Sequence, residues 1–261
     1  MAIQLYNDGT HVCLAFENLV SGDGIQANQF LIMHGKHTAL IDPGGDLTYT
    51  PLFMEVIKHV SIKELDYVIA SHQDPDIIAS LDKWMTYTNC KVACSKLWAR
   101  FLPHLIPKHL EQVSAKSTDF SRYIAIPDEG MNIKLGDAVL TAVPAHFLHS
   151  VGNFHFYDPI SKILFSGDLG ASIVSEGLDK PVEDFEKHIP TMAGFHRRYM
   201  ASNKACRLWA QMARQLDIEM IVPQHGRSFK GKEMVNKFID WIEKLECGLD
   251  LMNENNFQVP H

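Results

Sequence analysis

The chain is poor in cysteine: five residues in 261, with no C-x-x-C pair. Cys13, Cys90, Cys94, Cys206 and Cys247 are odd in number and widely spread. That excludes a disulfide framework or a cysteine-rich zinc knot, and it fits a reducing cytoplasm. Cys90 and Cys94 flank a short apolar run and read as buried thiols. A basic, apolar leader is also missing, since Met1-Ala2-Ile3-Gln4 has neither feature of a signal peptide. No apolar run reads as a membrane span. The charge-free stretch 138–157 comes nearest, but it carries Pro144, three histidines, Ser150 and Asn153. Positive charge is scarce: 24 Lys and Arg stand against 31 Asp and Glu, giving a net charge of −7 and a pI near 6.0. Such a surface is a poor polyanion binder, so nucleic acid is excluded as the partner. Linkers, low-complexity runs and internal repeats are absent too, and residues 1–261 read as one domain.

Histidine is what the chain has in excess, with 14 residues, and imidazoles are frequent metal ligands. With 46% hydrophobic and 21% charged residues, the composition is that of a globular protein. Apolar runs of strand length occur at 12–16, 29–33 and 38–41, with His34-Gly35-Lys36 as a hairpin loop between the last two. Asp42-Pro43-Gly44-Gly45 breaks this pattern. Residues 52–60 have helical spacing, 66–70 read as a buried strand, and Ile77, Leu81, Trp84 and Met85 recur at helical intervals. Residues 91–94 read as a strand, and 96–120, with Pro103 and Pro107, as broken helices and a loop. The second half repeats the order. Strands are predicted at 122–126, 131–135, 138–143, 153–157 and 162–166. An interrupted helix follows over 181–190, then one long helix from Phe195 to Leu216, a last strand at 219–222 and a last helix from Met234 to Leu245. Two successive units of strands followed by helices predict an α/β sandwich, with two mixed sheets inside and helices outside.

Four polar clusters each follow a strand-like run, where α/β folds place their ligands. They are Ser71-His72-Gln73-Asp74-Pro75-Asp76, Pro144-Ala145-His146, Ser166-Gly167-Asp168 and Pro223-Gln224-His225-Gly226. Taken singly, each is an ordinary turn, a helix cap or a core histidine. Together they bring three imidazoles and three carboxylates to the carboxyl ends of four strands.

This joint pattern resembles the metallo-β-lactamase superfamily over nearly the whole chain, which implies an αβ/βα sandwich. Hydrolases of that superfamily carry H-x-H-x-D-H in the first loop. Here Asp74 replaces the second histidine and Ile77 the last. A carboxylate at the second position is similar to the di-iron domain of flavodiiron proteins, whose loop is H-x-E-x-D-H. Stand-alone oxygen-binding di-iron proteins used as chemotaxis sensors are more similar still. The resemblance implies that His72, Asp74 and His146 hold one metal, that Asp76 and His225 hold a second, and that Asp168 bridges them. Mixed imidazole and carboxylate sets with open positions suit non-haem iron and O2, and three Asp charges offset three of the four positive charges of two ferrous ions.

The expected cofactor is therefore two iron ions, and the expected ligand is O2, bound as a diferric peroxo adduct, with NO as an alternative. The expected role is an oxygen sensor with a chemotaxis signalling partner. A reductase of O2 or NO served by an external electron donor uses the same site. A dinuclear metallohydrolase is the rival reading, in which two metals make a hydroxide nucleophilic. His149, three residues past His146, is a candidate donor to a bound ligand. Tyr199 lies where flavodiiron proteins carry a pocket tyrosine, and Asn28 where the superfamily carries an asparagine before its second strand. His196-Arg197-Arg198 reads as a solvated helix face. FMN is not expected in this chain: Gly22-Asp23-Gly24 precedes a strand rather than a helix, and no flavodoxin domain follows the last helix. The head-to-tail pairing of flavodiiron proteins implies a homodimer.

Overall fold

A computed structural model describes residues 2–22, 24–106, 120–174, 177 and 179–260. Strands β1 (Ala2–Asn7), β2 (His11–Phe16), β3 (Gln29–His34), β4 (His37–Ile41), β5 (Tyr67–Ile69), β6 (Lys91–Ser95) and β7 (Tyr123–Ile126) form one sheet in chain order. Its first four strands are antiparallel neighbours and its last four are parallel. The second sheet contains β8 (Met131–Leu135), β9 (Ala138–Pro144), β10 (Phe154–Asp158), β11 (Ile163–Phe165), β12 (Met220–Val222) and β13 (Phe229–Lys230). Its order is β13-β12-β11-β10-β9-β8, with β11 and β12 parallel. Helices α1 (Asp46–Val56), α2 (Pro75–Ile78) and α3 (Leu81–Tyr87) belong to the first half; α4 (Phe185–Tyr199), α5 (Asn203–Ala213) and α6 (Lys232–Lys244) belong to the second. The result is the α/β sandwich of two mixed sheets flanked by helices that the sequence predicts.

Strand periodicity explains the layers. Alternate residues Cys13, Ala15, Phe30, Ile32, Ala39, Ile41 and Ile69 face Phe154, Phe156, Ile163 and Phe165 of the opposite sheet. Phe30 and Phe165 meet across that interior at 5.0 Å between ring centroids. The intervening Leu14, Leu31, Leu40 and Val68 turn outward beneath α1 and α3, against Leu52, Val56 and Trp84. In the second half, Leu164 and Ile221 pack under Trp209, Phe238 and Ile242. Both faces of the central strands are covered, so these strands are nearly continuous apolar runs. Burial of each such side chain contributes about 1.5–3 kcal/mol.

Several boundaries differ from the sequence expectation. β1 and β13 were not predicted: β1 is a half-exposed edge strand and β13 has two residues. The first helix begins at Asp46, not 52, because extended Gly45 starts it and the acidic Asp46 suits its first turn. The helix expected from Phe195 to Leu216 is two helices. Met200 turns extended and buries, the Ala201 N–H donates to the Phe147 carbonyl at 3.1 Å, and the Ala201 carbonyl accepts from the Leu249 N–H at 2.9 Å. These backbone bonds replace helical ones at the break. α4 starts at Phe185, with Asp184 accepting from the Lys187 N–H, and continues through Pro190 without interruption. Of the loop expected at 96–120, residues 107–119 lie outside the described residues.

Candidate metal centre

Parallel pairing brings the carboxyl ends of β11 and β12 side by side, and β5 ends in the facing sheet. The loops after β5, β9, β11 and β12 converge there. After β5, Asp74 occupies the N-cap of α2 with Pro75 next, a favourable first helical residue. The Asp74 side chain makes no cap hydrogen bond, so its carboxylate is free to turn toward the histidines.

Asp168 lies at the middle of the cluster. Its Oδ2 is 2.9 Å from His149 Nε2 and 3.6 Å from His72 Nε2. Asp74 Oδ2 is 3.3 Å from His149 Nε2 and 3.6 Å from His72 Nε2. The other Asp168 oxygen, Oδ1, is 3.4 Å from His225 Nε2, which is 3.2 Å from Asp76 Oδ2. One carboxylate thus faces two donor groups, one with each oxygen. Metal–N and metal–O bonds of about 2.0–2.2 Å place neighbouring ligand atoms roughly 3.0–3.5 Å apart, close to these separations.

His146 is not brought into this group. Its Nε2 faces the Asp128 carbonyl at 2.8 Å, and its ring packs edge-on against Phe154 at 5.2 Å. His149 stands with His72, Asp74 and Asp168 instead. The loop after β9 explains the exchange. The Ala145 carbonyl accepts from the Leu148 N–H, the Ser150 carbonyl accepts from the Phe147 N–H, and Phe147 adopts a φ of +67°. This tight turn carries the chain round, so the second imidazole of His146-Phe147-Leu148-His149 enters the cluster.

Side chains behind the cluster fix its imidazoles. Buried Asp42, at φ +51°, accepts the Ser71 N–H at 2.7 Å, and the Ser71 hydroxyl meets His72 Nδ1 at 2.9 Å. The Gln26 carbonyl lies 2.6 Å from His225 Nδ1. Asn28 donates to the Pro223 and Gly226 carbonyls on either side of His225. His196, expected on a solvated face, is fully buried and accepts the Gly170 N–H at 2.9 Å, bracing the Asp168 loop. Asp42 and His196 were not legible as site residues, because their partners lie on other loops. Tyr199 is half-exposed, 5.6 Å from the His149 ring and stacked on Phe195 at 4.7 Å. Ile77 is fully buried among Leu81, Trp84 and Met85.

The electrostatics are those of a site built for positive charge. Burial opposes protonation of His72, His149 and His225, but their carboxylate partners outweigh it and raise them to about 10, 9 and 10. Burial works to raise Asp168, yet His149, His225 and His72 hold it well below the carboxylate range. His149 and then His72 lower Asp74. Burial lifts Asp42 to about 6 against the Ser71 backbone bond. Two buried atoms in the cluster, His72 Nε2 and Asp168 Oδ1, have no hydrogen-bond partner. Unpaired buried donors and acceptors are costly, and both atoms point into the gap that metal ions would fill. The donor set fits a dinuclear centre.

Residues 25–226 match the model of the ODP family β-lactamase. The solved structure of the peroxy diiron species of chemotaxis sensor ODP is similar, with 37% identity and a TM-score of 0.84 over 98% of this chain and 99% of that one. The apo state of chemotaxis sensor ODP from T. denticola matches with 37% identity and a TM-score of 0.82, over 99% of both chains. A flavo di-iron protein from Thermotoga maritima shares the fold at 20% identity, with a TM-score of 0.71 over 93% of this chain and 60% of that one. An uncharacterised protein of Methanocaldococcus jannaschii is 28% identical over 231 residues, 84% of this chain and 53% of that protein. This chain therefore spans about half that relative's length.

Proposed function

From the premise that the chain belongs to the ODP family of β-lactamase-fold proteins, we propose that it is a non-haem di-iron protein that binds O2 as an oxygen sensor. The observation that carries this reading is the two-sided Asp168 carboxylate, with His72 and His149 at one oxygen and His225 at the other, and Asp74 beside the first two imidazoles. In this reading His72, Asp74 and His149 hold the first iron, Asp76 and His225 hold the second, and Asp168 bridges. Two ferrous ions supply the electrons for O2 binding. The chain's own residues ligate, orient and shield. Asp42 and Ser71 fix the His72 ring, and the Gln26 carbonyl accepts a hydrogen bond from the His225 Nδ1–H, so that each Nε2 is left for metal. Asp76, with its side chain 42% exposed, marks the open side of the centre, where a diatomic ligand enters. Tyr199, beside His149, lines the approach.

Asp74, at the position of a histidine in the zinc hydrolases, favours the harder iron ions and oxygen chemistry over hydrolysis. The likeness to chemotaxis sensor ODP supports a chemotaxis signalling protein as partner, and the cytoplasm is the compartment this reading expects. No described helix is long and apolar enough to cross a membrane. NO is a second diatomic ligand suited to the same ferrous centre, and a homodimer is the assembly this reading expects. The experiment is anaerobic loading with ferrous iron followed by admission of O2 under optical recording. The reading expects a new visible absorption in the wild-type protein that His149→Ala lacks. A fully iron-loaded protein with no spectral response to O2 would overturn it.

A further inference from the structure

A second group of metal-competent side chains is sealed between the sheets at the other end of the sandwich. The Asp168 cluster lies beyond the carboxyl end of β11. Strand β10 runs antiparallel to β11, so its last residue, Asp158, pairs with Ile163 at the opposite end. In the facing sheet, His11 opens β2 and pairs with His34 at the end of β3, which turns back through His37 at the start of β4. His11, Cys13 and Asp158 come together there and are 1%, 0% and 1% exposed.

Their ligand atoms form a small triangle. His11 Nε2 lies 2.7 Å from Asp158 Oδ2, and Cys13 Sγ lies 3.5 Å from the first and 3.4 Å from the second. A tetrahedral zinc ion, about 2.0–2.1 Å from nitrogen and oxygen and about 2.3 Å from sulfur, sets ligand edges of roughly 3.3–3.6 Å. Both sulfur edges match. The third edge is a direct hydrogen bond that an inserted cation would open. The Ser161 hydroxyl, hydrogen-bonded to the same Asp158 oxygen, stands beside the triangle as a fourth donor.

The surroundings satisfy the groups a metal would leave free. His11 Nδ1 is 3.1 Å from His34 Nδ1, and His34 Nε2 is 2.9 Å from Asp137 Oδ1. With His11 Nε2 on a cation, Nδ1–H donates to His34 and His34 Nε2–H donates to Asp137, so each ring nitrogen has one role. Metal-ligating histidines are commonly oriented by such a chain ending in a carboxylate. Asp158 is anchored by the Ile160 N–H on its other oxygen.

Charge selects the ion. One carboxylate, one thiolate and one divalent cation sum to zero, which a site closed to water requires. Without a cation, burial and the Asp158 charge hold the Cys13 thiol far up, so it stays protonated. On binding, the S–H proton and any proton on His11 Nε2 leave to solvent, and no oxidant or reductant is needed. A mixed N, S, O set suits zinc over calcium or magnesium.

We propose that His11, Cys13 and Asp158 form a zinc-type site, separate from the di-iron centre, that ties β2 of one sheet to β10 of the other. The test uses the full chain, loaded anaerobically with ferrous iron and then titrated with cobalt(II). No cysteine belongs to the Asp168 cluster, so a cobalt–thiolate charge-transfer band reports a cysteine site alone. The site predicts one cobalt bound with that band and displaced by zinc. Cys13→Ser should lose the band and bind cobalt at least tenfold more weakly, whereas Cys206→Ser and Cys247→Ser should keep it. Absence of the band in the wild-type protein, or its survival in Cys13→Ser, would overturn the proposal. A zinc X-ray absorption spectrum of the wild-type protein needs no variant: one sulfur in the shell supports the site, and a shell of nitrogen and oxygen alone contradicts it. A failure of iron to load leaves the thiolate band readable, so the two metal assignments fail separately.

Discussion

His149 Nε2 lies 2.9 Å from Asp168 Oδ2, and this contact moves the imidazole of the second loop three residues along from His146, where the sequence pattern placed it. The two histidines therefore make opposite predictions. His149→Ala should lower iron affinity at least about tenfold, the lower bound for removing even a side chain behind a ligand. His146→Ala should retain iron at wild-type affinity, since its ring faces the Asp128 carbonyl. Competitive titration with a ferrous chelator reads both, and the reverse pattern would reject the His149 assignment.

Asp168 presents one oxygen to His72 and His149 and the other to His225. Asp168→Asn should thus lose iron at both positions, whereas Asp76→Asn should weaken the second position and spare the first. Iron content after gel filtration separates the outcomes. Two irons retained in Asp168→Asn would exclude a bridging role.

Stability of the metal-free protein should fall as pH rises above neutrality. His72, His149 and His225 are raised on folding to about 10, 9 and 10, from about 6.5 in the unfolded chain. A group raised in this way stabilises the fold fully below its unfolded value, and the contribution is lost as pH climbs through the folded value. The melting temperature without metal should decline from about pH 7 to 10. In the iron-loaded protein these imidazoles hold metal rather than protons, so the decline should be smaller. A metal-free melting temperature that climbs over the same range would show that the carboxylates do not hold these protons.

Ile77 has no exposed surface and packs against the core beneath the first sheet. Ile77→His buries a poorly satisfied ring there and should cost about 1–3 kcal/mol, seen as a lower melting temperature. The same variant in stopped-flow O2 binding asks whether the position also touches the centre. Unchanged oxygen kinetics confine Ile77 to packing, and slowed kinetics assign it a place at the second metal.

Much of the fold was legible because the central strands are buried on both faces. Runs such as Phe30-Leu31-Ile32 and Ile163-Leu164-Phe165 have no polar side to confuse the pattern. β1 escaped because one half-exposed edge strand looks like loop, and the break between α4 and α5 escaped because distant carbonyls and amides make it. The same distinction runs through the site. His72, Asp168 and His225 each sit three residues past a strand end, and Asp74 and Asp76 follow His72 at the start of α2, so the position in sequence gives the position in space. His149 lies past a turn whose direction is set by the φ of Phe147 and two backbone bonds, none of which composition encodes. Asp42 and His196 act through contacts made 26 to 29 residues away along the chain.

The central claim is that six side chains on four loops hold two irons. Elemental analysis of the anaerobically iron-loaded, desalted wild-type chain tests it most directly. The account predicts about two irons per chain, with no more zinc than the single equivalent that the His11, Cys13 and Asp158 site would take. Fewer than one iron per chain, with zinc beyond that single equivalent that ferrous iron does not replace, would contradict it.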